Sequence, residues 1–316
     1  MTVEPQPSTP FSLLQAGLSL YRKTLKRLRP AHVAVHWLLS RTWIPYLERS
    51  QQFYTMPDDP FWFRIELLTQ RHEPETTQQL QHLLQPGMVV LDVGAHVGYY
   101  TRMASQIVGE QGRIIAFEPH PRNHAFLTQN VGSRKNVTIL QVALAEEEGT
   151  AELHDYLMMS ASGSLNYDER LRDIQMAQVG EQDVAPRIGK DFQPKIYTVR
   201  TAPIDALLEE IGITGVDIVK MDIEGAELGA LRGMKRTIQH SPKLALVMEY
   251  NPLGLKAFGN EPTSALQEVL ALGFKKMAVI EADGSLTDFT QDSEGLQTLT
   301  QRLVQHMGVV NMLFTR

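Results

Sequence analysis

From about residue 88 onward, short apolar runs rich in Val, Ile and Leu alternate with segments whose apolar residues recur at helical spacing. This is the pattern of βαβ units. Strands are predicted at Met88–Val93, Arg113–Glu118, Val137–Val142, Val216–Asp222, Leu244–Tyr250, Lys275–Ile280 and Val309–Phe314. Seven such runs suit an α/β doubly wound, Rossmann-like fold with a seven-stranded, mostly parallel sheet and one antiparallel strand near its edge. The last two runs are joined by a hairpin-like or short connection. Between the third and fourth runs lies an excursion from about Ala151 to Thr201, with short strands predicted at Ala151–Leu157 and Ile196–Arg200. Its middle, at about 158–195, is too long for a plain connector and reads as a lid-like insertion or substrate wall; a disordered insertion is the alternative.

Upstream the pattern is different. The first ten or so residues are rich in Pro, Ser and Thr and are expected to be disordered. Phe11 to Leu28 then spaces Leu14, Leu18, Tyr21, Leu25 and Leu28 as one face of a helix, with Arg22, Lys23, Lys26, Arg27 and Arg29 on its polar side. A second apolar segment follows Pro30. The chain therefore divides into an N-terminal helical extension (1–75) and a sheet domain (76–316). The basic extension could be a helical cap, a homo-oligomer contact, or a peripheral contact with an anionic membrane surface.

Composition narrows the function classes. At 316 residues and 43% hydrophobic there is ample material for a core, and a net charge of −6 argues against nucleic acid as the main partner. With no cysteine, disulfides, thiolate nucleophiles and Cys-ligated metals are excluded. No signal peptide or membrane-spanning run is evident, so the expected location is cytoplasmic, or membrane-peripheral if the basic helices dock.

Three motifs carry the chemistry. In PGMVVLDVGAHVGYYT an apolar strand ends in Asp92, and Gly94 and Gly98 open a helix. Such a loop, with Gly94, Ala95, His96 and Gly98, can cradle a ligand on backbone amides and the positive helix end. Asp92 could accept from an amino group of that ligand or cap its own loop. In IIAFEPHPRN, Glu118 ends a strand before Pro119; an acid there can accept from both hydroxyls of a ribose, which implies an adenosine-type ligand. Val142 and Ala143, at the end of the third strand, suit an adenine slot as well as they suit core. In VDIVKMDIEGAELGALRGM, Asp222 and Glu224 stand at the mouth of the fourth strand, and Glu249 ends the next. Three acids on one edge could supply a general base or hold magnesium; Asp222 and Glu224 could equally cap a helix or pair with Lys220 or Arg232.

In this order and spacing, LDVGAHVGYYT, FEPHPRN, ASGSLN, TAPIDALL, VDIVKMDIEGAELGALRGM and LALVMEYNP resemble the FkbM family of S-adenosylmethionine-dependent methyltransferases, over roughly residues 70 to 315. The resemblance implies the class I methyltransferase fold and transfer of a methyl group from S-adenosyl-L-methionine, leaving S-adenosyl-L-homocysteine. The acceptor would be an oxygen on a sugar, glycan or secondary metabolite, as in natural-product or polysaccharide biosynthesis. Some relatives methylate amide nitrogens, so a peptide amide such as an Asn side chain is the alternative. Carried over by position, Asp92, Gly94, His96, Gly98 and Glu118 would hold the cosubstrate, with Asp222 and Glu224 at the transfer site; Ala95, Pro119, Val142, Ala143 and Asp222 are further candidates to touch the cosubstrate. His96 stands where relatives commonly carry Asn. For a base the candidates are Asp222, Glu224, His96 and Glu249. Magnesium is chemically possible but the reaction does not call for it. A nucleotide-dependent oxidoreductase shares the fold, yet the glycine spacing is wrong for it. A non-catalytic nucleotide-binding protein is the remaining rival.

Overall fold

The structure is a computed structural model that describes residues 29–155, 165 and 195–316, with side chains from residue 37. The predicted disordered start, the helix at Phe11–Leu28 and, apart from Leu165 and Lys195, the insertion at 158–195 lie outside the described residues. The chain forms two compact units, Met1–Gln51 and Gln52–Arg316. In the first unit, α1 (Arg29–Gln51) absorbs the apolar segment after Pro30 and leaves Trp37, Leu38 and Tyr46 exposed. Among the described residues no helix is long and apolar enough to cross a membrane.

The second unit begins with α2 (Phe61–Leu68) and α3 (Pro74–Leu83). The parallel core follows: β1 (Val89–Val93), α4 (Tyr99–Val108), β2 (Arg113–Phe117), α5 (Pro121–Val131) and β3 (Val137–Leu140). After β4 (Ala143–Leu144), β5 (Gly149–Asp155) and β6 (Lys195–Ala202) come α6 (Ile204–Glu210), β7 (Ile218–Met221), α7 (Glu227–Arg232), α8 (Lys235–His240) and β8 (Ala245–Tyr250). The chain closes with α9 (Pro252–Ala257), α10 (Pro262–Ala271), β9 (Lys276–Ile280), β10 (Leu286–Asp288), α11 (Ser293–His306) and β11 (Val310–Thr315).

The main sheet runs β10-β9-β11-β8-β7-β1-β2-β3. β3, β2, β1, β7 and β8 are parallel, and β11 inserts antiparallel between β8 and β9. All seven predicted strands are present, each within two residues of its expected ends. The eighth strand, β10, is a short exposed edge strand antiparallel to β9, so the sheet has two antiparallel members rather than one. The predicted short connection before the last strand is instead β10 plus the 14-residue α11. Its apolar stripe, Leu296, Leu299 and Leu303, is diluted by Thr and Gln, and its start is fixed by Asp292 accepting from the Gly295 amide at 2.8 Å.

Side chains alternate across the sheet with period two. Leu91, Val93, Ile115, Phe117, Val219, Met221, Leu246 and Met248 pack on the face covered by α6, α7, α8, α10 and α11. Val90, Ile114, Ile218 and Val247 pack on the other face, with Leu80 of α3 and Tyr100, Ala104 and Val108 of α4. Asp92 and Lys220 fall on this second face and are register partners on adjacent strands. The excursion contributes a separate three-stranded sheet, β4-β6-β5, in which β5 and β6 pair antiparallel from Gly149↔Thr201 to Asp155↔Lys195.

Candidate active site

A cleft opens at the carboxyl edge of β1, β2 and β7, where open α/β sheets bind ligands. Of the residues expected to hold a cosubstrate, Gly94, Ala95, His96, Glu118, Pro119, Val142, Ala143 and Asp222 line it. Asp92 and Gly98 do not. Glu224 also lines it, whereas Glu249 does not.

The glycine loop is shaped by the protein's own backbone as much as by a ligand. Gly94 has φ +79°, and a Cβ there would lie 1.9 Å from the Asp222 carbonyl oxygen. Its amide and that of Ala95 both donate to the Phe117 carbonyl at 3.0 Å, so this one turn brings the ends of β1, β2 and β7 together. His96 also sits in the left-handed region, at φ 52°. Asn and His are among the few side chains that tolerate it, so His is compatible with this turn.

Glu118 joins two loops. Its Oε2 accepts from the His96 amide at 2.8 Å and its Oε1 from the His120 amide at 2.9 Å. The residue is 5% exposed, and burial pushes its carboxyl up to about 7 despite those hydrogen bonds. The Asn123 side chain also bonds this carboxylate, and the acceptor capacity that remains is open to a hydroxyl donor. His120 in turn caps α5: its Nδ1 accepts from the Arg122 amide at 3.2 Å and the Asn123 amide at 3.4 Å. Its Nε2–H is thereby left to donate to Asp155 Oδ2 at 3.0 Å.

At the other end of the cleft the charges are organised around Lys220, 5% exposed, whose Nζ lies 3.1 Å from Asp222 Oδ2 and 4.9 Å from the Tyr100 ring centre. Burial opposes its charge, but Asp222, Asp92 and Glu73 together hold the ammonium well above the usual lysine range. Asp92, 2% exposed, accepts from Thr101 Oγ1 at 2.5 Å, and its Oδ1 is buried without a partner. Burial raises its carboxyl and Lys220 opposes that rise. Within the protein, Asp92 is engaged by Thr101 of α4 and lies in the field of its strand neighbour Lys220. A Lys inside the apolar run VDIVKM was the sequence's signal for this centre, and it went unassigned as a site residue.

Glu224, at φ 55°, accepts from Asn251 Nδ2 at 3.4 Å; burial, then Asp222 and Glu227, push it up to about 8. Neither Asp222 nor Glu224 caps α7, which has no side-chain cap; Glu227, its first residue, reaches back so that its Oε1 accepts from the loop amides of Ile223 and Gly225 at 3.1 Å. Arg232 pairs with Glu268 at 2.6 and 2.8 Å. Glu249 lies beyond the cleft wall with Oε2 buried and unpartnered, and burial with the surrounding acids raises it well above the ordinary carboxylate range. Among the described residues no group of three or more His, Asp or Glu is placed to hold a metal ion.

Residues 61–100 complete the cleft with Phe63, Leu67, His72, Tyr99 and Tyr100, of which the sequence reading assigned none. Tyr100 donates to Glu73 Oε2 at 2.8 Å, and Asn311 Nδ2 donates to the same oxygen at 3.3 Å. His96 is enclosed, and burial drives its imidazole down to about 3.

The description "Methyltransferase FkbM domain" matches residues 92–276. The chain is similar to 2-O-methyltransferase NoeI of Sinorhizobium fredii, 27% identical over 169 residues that make up 51% of this chain and 63% of NoeI. It is also similar to hexuronic acid methyltransferase AglP of Haloferax volcanii, 25% identical over 169 residues, 54% of this chain and 59% of AglP. The chain thus spans less than two thirds of either relative. Of solved structures, methyltransferase FkbM of Methylobacillus flagellatus aligns at 14% identity and a TM-score of 0.39, over 86% of this chain and 58% of that one. With a family match that takes in Asp92, Glu118, Lys220, Asp222 and the β8 acid Glu249, the chain belongs to the FkbM methyltransferase domain family.

Proposed function

We propose that the protein transfers a methyl group from S-adenosyl-L-methionine to a hydroxyl of a sugar, glycan or related small molecule. The observation that carries this reading is a single cleft whose two ends differ in chemistry. One end offers Glu118, both of whose oxygens are held by backbone amides, beside the apolar Val142, Ala143 and Leu144. That is a site for a ribose and a flat base. The other end offers Asp222 with its Lys220 counter-charge, under aromatic walls. The names and acceptors of the similar proteins, a 2-O-methyltransferase and a hexuronic acid methyltransferase, support an oxygen on a sugar.

The cosubstrate supplies an electrophilic methyl on a sulfonium; what the chain's residues supply is aim and dryness. Glu118 accepts the ribose hydroxyls. The amides at the start of α4 and the turn at Gly94 fix the loop along which the rest of the molecule lies. Asp222, held by Lys220 through Oδ2, keeps Oδ1 to orient the acceptor through a hydroxyl beside the reacting one. Thermal-shift titration with S-adenosylmethionine against NAD tests the ligand class, because only a ligand bound by the folded state stabilises it. Asp222→Ala is expected to retain S-adenosylhomocysteine binding and lose methyl transfer; lost binding in a folded variant would refute its acceptor role.

A further inference from the structure

We infer that His72, on the loop between α2 and α3, is the base that takes the acceptor's proton; the inference rests on the methyltransferase reading above. His72 lies outside the residues matched by the family, 92–276, and lines the cleft with Asp222, Lys220 and Tyr99. Its ring is gripped on three sides: Phe63 at 5.4 Å edge-on, Tyr99 at 5.4 Å edge-on, and Tyr100 at 6.1 Å. Among the described residues neither ring nitrogen is hydrogen-bonded, and neither is sealed from the cleft. An imidazole that is positioned by packing yet keeps its nitrogens unspent is equipped to receive a proton.

The other candidates are committed elsewhere. Asp222 is held by Lys220 through Oδ2 and orients the acceptor through Oδ1. Glu224 is raised to about 8 and so carries a proton at neutral pH. His96 is driven down to about 3, too weak a base to help. Glu249 does not reach the cleft. The groups facing His72 are Glu73 and Glu75 from its own loop and α3, Lys220 and Asp222 from the end of β7, His96 from the β1 loop, and Tyr99 and Tyr100 from α4. Burial dominates among their effects and keeps the imidazole neutral, with Glu73 opposing. In the step itself the acceptor oxygen bonds to the methyl carbon while the carbon–sulfur bond breaks. Its electron pair stays on sulfur, giving the thioether, and the hydroxyl proton passes to His72, which later releases it to solvent.

The test uses the full chain with ring-labelled histidine, the His72 resonance being assigned by its loss in His72→Gln. Because the two ligands differ by one positive charge at sulfur, His72 should titrate roughly one pH unit lower with S-adenosylmethionine than with S-adenosylhomocysteine. Methyl glycosides of neutral and acidic hexoses then serve as acceptors. At saturating S-adenosylmethionine, where the ionisation of Glu118 does not shape the rate, His72→Gln should lose about 10²- to 10⁴-fold in kcat and lose the acid limb of the kcat–pH profile, with unchanged S-adenosylhomocysteine affinity. Equal titration with both ligands, or a His72→Gln profile that keeps the acid limb, overturns the inference while leaving the methyltransferase reading intact. No binding of either ligand overturns both. If no glycoside is methylated, the titration decides alone.

Discussion

Replacing Glu118 by Gln changes one atom and should damage both the loop and the ligand site. In the wild type, each carboxylate oxygen accepts an amide hydrogen bond, from His96 at 2.8 Å and His120 at 2.9 Å. Gln has one oxygen and one NH₂, so whichever way it turns, an amide donor meets another donor. A buried donor left unpaired costs about 1–3 kcal/mol. For a unit of this size that corresponds to a fall of roughly 2–12 °C in Tm. The ribose contact suffers separately, because one of two charge-assisted bonds is lost, each worth about 1.5–3 kcal/mol. The expected result is a dissociation constant for S-adenosylhomocysteine raised about 10- to 100-fold by calorimetry, with a modest loss of Tm. An unchanged dissociation constant would refute the ribose assignment, and an unchanged Tm would refute the stitching of the two loops.

The same carboxyl makes binding and stability depend on pH in opposite senses. Glu118 and Glu227 are raised to about 7 and Glu224 to about 8, all by burial first, from an unfolded value of 4.5. A raised acid contributes stability below its unfolded value and loses it as pH rises through the folded one. Thermal scans of the ligand-free protein should therefore show Tm falling between pH 5 and 8, while S-adenosylhomocysteine, which needs the ionised Glu118, binds more tightly over that interval. Lys220→Met leaves Asp92 and Asp222 without their buried cation and should cost about 3–5 kcal/mol in urea unfolding, partly recovered by adding Asp222→Asn. Gly94→Ala forces a side chain into a left-handed turn and against the Asp222 carbonyl; a loss of about 3 kcal/mol is expected from strain plus overpacking, read as a Tm lowered by roughly 6–12 °C.

What could be read from the chain was whatever is written locally. The strands β1, β2, β7 and β8 announce themselves because both faces are buried, so their apolar runs are nearly continuous. Gly94 and Glu118 stood out because a tight turn and a strand-end acid have few other uses. By contrast, α11 carries Leu296, Leu299, Leu303 and Val304 at helical spacing, a signal that the expectation of a short connection passed over. Lys220 and Asp92 become neighbours only when β1 and β7 pair in register, a relation between positions far apart in sequence. His72 lies on a loop with no motif at all, and its place in the cleft follows from how α2 and α3 pack, through Phe63, Tyr99 and Tyr100.

The register of β5 with β6 has a consequence for how such enzymes diversify. Asp155 and Lys195 are paired residues, so the chain leaves and re-enters the small sheet at adjacent points. His120, at the start of α5, ties that exit to the cleft through Asp155 and lies 4.8 Å from Tyr197. Once such an anchor exists, lengthening the intervening segment is cheap: each doubling costs only about 0.6 kcal/mol in closure entropy. Residues 156–194 can therefore be exchanged, extended or shortened as a cassette while the Gly94 turn and Glu118 stay as they are.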